Sequence, residues 1–154
     1  MRDRINQNVK DAMKSGDKLR LSTLRLVQAA IKDRDIAARV DAKGQSTGKE
    51  RVEDAEILAL LQKMIKQRRE SAETYTRGGR LDLAEKENAE IVIIEEFMPQ
   101  QMDEAEMNAA CSAVMEEIGF SGLKDMGKTM AALKQRYAGQ MDFGKASAFV
   151  KSKC

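Results

Sequence analysis

"GLKDMGKT", residues 122–129, has the form G-x-x-x-x-G-K-[ST]. That is the pattern of a phosphate-cradling P-loop, and a true P-loop would make this an α/β protein, because such a loop joins a buried β-strand to a helix. The residues around it decide otherwise. "MNAACSAVMEEI" (107–118) places Met107, Cys111, Val114, Met115 and Ile118 at helical intervals, and Gly119 closes the run. Beyond the match, Met126, Met130, Leu133 and Tyr137 follow at spacings of 4, 3 and 4, which is again a helix. No apolar run ending in aspartate supplies a magnesium ligand. Gly122 is therefore expected in a turn, Gly127 in the first turn of a helix, and Lys128 as an exposed cation. The P-loop match is accidental, and no cofactor is expected.

The rest of the chain reads the same way. Of 154 residues, 42% are hydrophobic, 34% charged and only 4% aromatic, with one proline. Ala, Leu, Met, Glu, Lys, Gln and Arg dominate, mostly good helix formers, and no strand-length alternation of β-branched residues occurs. The fold class is all-α: a helical hairpin or bundle of about four helices over residues 1–98, then a small three-helix tail over 103–154.

In the first part, Ile5, Val9 and Met13 mark a short helix ended by "SGD". Asp17 is placed to cap a longer one whose stripe is Leu21, Leu24, Val27 and Ile31, with Leu19, Leu26 and Ala30 on a flank; so wide an apolar arc suits a helix touched on two sides. "DAKGQSTGKE" (41–50) reads as a flexible loop. A third helix is expected from about Val52 to Thr76, with Ile57, Leu58, Leu61, Met64 and Ile65 inward, stopped by the paired glycines of "RGGR" (77–80). The fourth carries Ile91–Ile94, a run expected to be helix packed on two sides. Pro99 ends it. Asp103 with Glu106 three residues on has the capping-box arrangement that restarts a helix, which sets the boundary between the two parts. Asp142 can start the last helix, with Ala146, Phe149 and Val150 inward.

Several chemistries are excluded by residue type. The chain has no histidine, which removes the commonest general base, the Ser-His and Cys-His pairs and most imidazole metal sites. Cys111 lies on an apolar helical face and Cys154 is the last residue, so the two cysteines read as a buried small hydrophobe and a frayed terminus. Glu87, Glu90, Glu95 and Glu96 lack the partnering Glu-x-x-His ligands of a di-iron bundle and read as a solvated face. No metal site and no catalytic constellation is expected. "MRDRINQNVK" (1–10) resembles neither a signal nor a transit peptide, and no apolar run approaches membrane-spanning length. The expected location is the cytoplasm, without a membrane partner.

Charge is the remaining signal. Residues 1–80 hold 19 Lys+Arg against 12 Asp+Glu, residues 81–118 hold 1 against 11, and residues 119–154 hold 7 against 2. Lys18, Arg25, Lys32 and Arg39 recur every seven residues along the second helix, a slowly drifting strip. The tail adds Lys124, Lys128, Lys134, Arg136, Lys145, Lys151 and Lys153. Clustered cations of this kind can follow a phosphate backbone, which makes the tail residues, with Lys18, Arg25 and Lys32, the candidate nucleic-acid contacts. An ordinary solvated surface, or pairing with the acidic segment 81–118, is the competing reading for the first half.

Four ordered blocks, "LRLSTLRLVQAAIKDRDIAAR", "LQKMIKQRRESAETY", "DLAEKENAEIVIIEEFMPQQM" and "KDMGKTMAALKQRYAGQMDFGKASAFVKSKC", resemble the GatB/YqeY family over nearly the whole chain. The resemblance implies an all-helical, two-domain fold. It also implies a tail similar to the C-terminal domain of the GatB subunit of tRNA-dependent amidotransferase, which contacts tRNA. The family label, carbon–nitrogen ligase with glutamine as amido-N donor, comes with the resemblance, as do tRNA and amidotransferase or translation components as expected partners. The residues supply no nucleophile–base pair for that chemistry. Two readings stay open from the sequence: an accessory protein binding tRNA through its basic tail, and a helical protein–protein interaction module that binds no nucleic acid.

Overall fold

The computed structural model describes residues 1–153; Cys154 lies outside them. Seven α-helices follow in order: α1 (Arg2–Ser15), α2 (Lys18–Ala38), α3 (Asp54–Arg77), α4 (Leu81–Glu95), α5 (Glu104–Ile118), α6 (Met126–Arg136) and α7 (Phe143–Ser152), with a single 3-10 turn at Leu123–Asp125. Among the described residues the only β-type pairing is an isolated bridge between Val40 and Ser46. The protein is all-α. It divides into two units, Met1–Phe97 and a second beginning at Met98, described separately below.

In the first unit, α3 and α4 form a hairpin and α1 and α2 another. Their apolar faces meet in a core that includes Ile5, Leu24, Val27, Ile57, Leu61 and Ile94, all below 2% exposed. The chain turns at residues that suit turning. The Asp17 carboxylate accepts the Arg20 amide at the start of α2, leaving one fewer orphan donor there. Gly79 takes φ +77° between α3 and α4, a left-handed conformation that an L side chain rarely adopts.

Several details differ from the expected pattern. On α1 the third inward residue is Ala12, and Met13 stands 51% exposed. Leu26 on α2 is also exposed, so α2 is not covered along its whole apolar arc. Helix α3 begins at Asp54, and Leu60 rather than Leu58 joins its buried face. In the run Ile91–Ile94, Val92 points to solvent at 60% exposure while its three isoleucines are buried: a helix cannot turn four consecutive side chains inward unless it is surrounded. Residues 41–50 are exposed throughout yet locally hydrogen-bonded. The Asp41 carboxylate accepts the Lys43 and Gln45 amides at 2.8 and 2.9 Å, an Asx-type turn.

The far end of that loop is clamped. Asp35, 9% exposed, continues the α2 stripe Leu24–Val27–Ile31 as a carboxylate. It accepts both Arg2 guanidinium nitrogens at 2.8 and 2.6 Å and the Val52 amide at 2.8 Å, while Arg2 also donates to the Val52 carbonyl at 2.9 Å. The Arg2 guanidinium, with the Val52 amide second, holds the Asp35 pKa below the ordinary carboxylate value. On the α3–α4 hairpin Glu90, 8% exposed, accepts the Arg68 Nε at 2.9 Å.

The second unit packs α5, α6 and α7 around Met107, Ala110, Cys111, Val114, Leu133, Met141, Ala146 and Val150. Asp103 caps α5 through the Glu106 amide at 2.7 Å, and Asp142 caps α7 through the Gly144 and Lys145 amides. Gly119, at φ +73°, closes α5 as a left-handed C-cap.

Candidate nucleic-acid interface

The P-loop match resolves into ordinary helix-start geometry. The element before it is α5, Gly122 sits in the turn, and Gly127 lies in the first turn of α6. Thr129, whose hydroxyl a P-loop would offer to a metal ion, is fully buried and donates to the Asp125 carbonyl at 2.9 Å. Asp125 itself accepts from the Ser121 amide and hydroxyl at 2.8 and 2.9 Å. Those two bonds, reinforced by the nearby Lys124 and Lys128 charges, lower its pKa.

The tail cations are all solvent-exposed: Lys124, Lys128, Lys134, Arg136, Lys145, Lys151 and Lys153. They are not gathered into one stripe. With 3.6 residues per turn, Lys128 projects from the side of α6 opposite Leu133, while Lys134 and Arg136 leave from its two flanks. Lys145 and Lys151 leave from different flanks of α7. Arg136 is engaged: its guanidinium grips the Glu117 carboxylate at 2.5 and 2.7 Å, which lowers the Glu117 pKa. Lys153 places Nζ 5.2 Å from the centroid of the Phe149 ring.

The net charge of the tail depends on where it is cut. From Met98 onward there are seven Lys+Arg and seven Asp+Glu, because α5 and its cap carry Asp103, Glu104, Glu106, Glu116 and Glu117 without a single cation. The positive excess read from residues 119–154 belongs to α6 and α7 alone. The unit is charge-separated rather than basic.

Lys18, Arg25 and Lys32 behave differently. They lie exposed along one strip of α2, and Lys18 and Arg25 share the rim of a shallow groove of about 500 Å³ completed by Leu21, Ser22 and Leu26. Arg25 also approaches the exposed Met13 of α1, Nη2 to Sδ 3.7 Å. The periodicity of the cations was readable from the sequence. The leucines were not recognisable as surface residues, because they continue an apolar arc and nothing local marks which edge of that arc the neighbouring helices leave uncovered.

Ion pairing divides the cations by type. Every side-chain cation in a salt bridge among the described residues is an arginine: Arg2, Arg20, Arg68, Arg69, Arg80 and Arg136. Among the described residues, none of the fifteen lysines pairs with a carboxylate within 4.0 Å. The planar guanidinium fork suits fixed pairing, whereas a lysine ammonium remains hydrated. The glutamates read as a solvated face are partly absorbed in this network: Glu90 with Arg68, Glu95 with Arg69, Glu96 with Arg20. No three Cys, Asp or Glu side chains among the described residues converge to hold a metal ion.

The family model of the Yqey-like proteins matches residues 2–154. The chain belongs to the YqeY-like family. Two curated relatives are both named altered inheritance of mitochondria protein 41, mitochondrial. The protein of Pyrenophora tritici-repentis is 27% identical over 138 residues, covering 86% of this chain and 71% of its own length. The protein of Lachancea thermotolerans is 33% identical over 116 residues, covering 74% of this chain and 57% of its own length. The YqeY-like chain thus spans little more than half of the second relative. No helix among its described residues is long and apolar enough to cross a membrane.

Proposed function

We propose that this YqeY-like chain is a cytoplasmic accessory protein that binds structured RNA, tRNA first of all, through the lysines of α6 and α7. The observation that carries the reading is the division of labour among cations. Six of the twelve arginines pair with carboxylates, whereas the lysines Lys124, Lys128, Lys134, Lys145 and Lys151 stand exposed with no carboxylate partner among the described residues. Resemblance of the tail to the C-terminal domain of the GatB subunit supports the choice of RNA. Cations spread over two helices favour recognition by phosphate and shape over the reading of base edges. The four Phe and two Tyr offer little for stacking unpaired bases.

Under this reading the chain supplies contacts to an amidotransferase or translation partner and no chemistry of its own. The glutamine-dependent ligase label then describes the partner's reaction. The test is a titration of the purified chain with total tRNA at two salt concentrations. Binding at low salt that weakens steeply as salt rises is the expected result; no binding at low salt would sink the proposal. Glutamine-dependent amide transfer by the isolated chain, surviving rigorous purification, would overturn the second half.

A further inference from the structure

The RNA reading leaves one feature unused: the outer face of α2. Lys18, Arg25 and Lys32 repeat there at seven-residue intervals over about 21 Å of helix. Between and beside them lie Leu21, Leu26 at 52% exposure and Met13 of α1. The lining of the groove includes no carboxylate. A phosphate backbone would use the cations but gain nothing from covering leucines. A partner with its own apolar seam gains from both, since burying apolar surface contributes roughly 25 cal/mol per Å².

The geometry points to a docking site on α2 for an acidic amphipathic helix of a partner protein, with its carboxylates against the central row Lys18, Arg25 and Lys32 and its apolar side chains over the flanking Leu21 and Leu26. Charge pairs along a helix contact fix partner and register, and a seven-residue repeat of cations matches a second helix crossing at a shallow angle. A second copy of the chain fits less well. Its own α2 presents the same positive strip, so a two-fold α2–α2 contact would set like charges together.

The probe is a fluorescent peptide of about 20 residues with glutamates at heptad spacing flanked by leucines, set beside a scrambled peptide of identical composition. The full chain is expected to bind the patterned peptide at least tenfold more tightly than the scrambled one. Arg25→Glu and, separately, Lys18→Glu should each weaken that binding about tenfold or more. Both residues are exposed, and an unchanged circular dichroism spectrum verifies folding. Excess tRNA should leave the peptide bound, and Lys128→Ala on α6 should leave the peptide's affinity unchanged, so failure here is separable from failure of the RNA reading. The inference is overturned by the absence of binding or by equal binding of the two peptides. It is equally overturned if tRNA or phosphatidylserine vesicles displace the peptide, or if the chain self-associates through the same residues on sedimentation.

Discussion

In the four-helix unit, Arg2 and Arg68 each hold a carboxylate that is almost wholly removed from water. In the three-helix tail the ion pair among the described residues, Arg136 with Glu117, stands in solvent, and the remaining cations are exposed lysines. The difference follows from size. Four helices of up to 24 residues enclose enough volume to bury a charge, provided its partner is buried with it. Helices of 10 to 15 residues cover a smaller core, and charge stays on the surface, where it contributes little to stability and is available for binding. The two pairs drawn inward therefore belong to the first unit, and the second keeps its cations at the surface.

The largest effects that would sharpen this contrast lie in the cores. Leu61→Ala in the first unit and Leu133→Ala in the second each remove a fully buried side chain and should cost about 2–5 kcal/mol. If the two units unfold separately, calorimetry will show each substitution lowering one transition and leaving the other in place. A single transition shifted by both would break the comparison at its root.

Next comes the clamp. Arg2→Ala leaves the Asp35 carboxylate facing the interior with only the Val52 amide, at an expected cost of about 2 kcal/mol. Arg136→Ala should leave the denaturant midpoint unchanged within error, because its pair is open to water. Equal losses at the two positions would contradict the division drawn here. The Arg2 effect carries a pH signature. Because the folded Asp35 pKa is lowered, its stabilisation is fully present above the unfolded carboxylate value of about 4 and is lost as pH falls through the folded pKa. The gap between wild type and Arg2→Ala should be constant near neutrality and shrink below about pH 4.

Smallest is the contribution of a single tail lysine. Lys128→Ala should weaken tRNA binding modestly, about equally across tRNA sequences, and reduce the salt slope by about one. Thr129→Ala should leave the slope alone and instead lower tail stability by about 1 kcal/mol, through loss of the hydroxyl bond to Asp125. If both variants abolished a measurable ATP affinity, the helical reading of 119–130 would be wrong.

Helix existence was legible because period and caps agree: Asp17, Asp103 and Asp142 each cap the helix they precede, and the glycine pair 78–79 ends α3. What stayed hidden depends on which neighbour covers which edge. Met13 and Leu26 have the sequence context of core residues and stand in water. Asp35 has the look of a surface acid, although its spacing after Ile31 placed it on the buried stripe. The candidate cations were found by composition, but the distances were needed to show that Arg136 is paired with Glu117 while Arg25 and the lysines have no carboxylate partner among the described residues.

Cys111 has a use of its own. The thiol is fully buried in the tail core, and burial raises its pKa, so both access and thiolate fraction are suppressed while the helices hold. In a Cys154→Ser background, its rate of labelling by an aromatic disulfide becomes a stopwatch for the opening of the three-helix unit. Bound RNA, if it closes over α6 and α7, would slow that stopwatch without touching the sulfur.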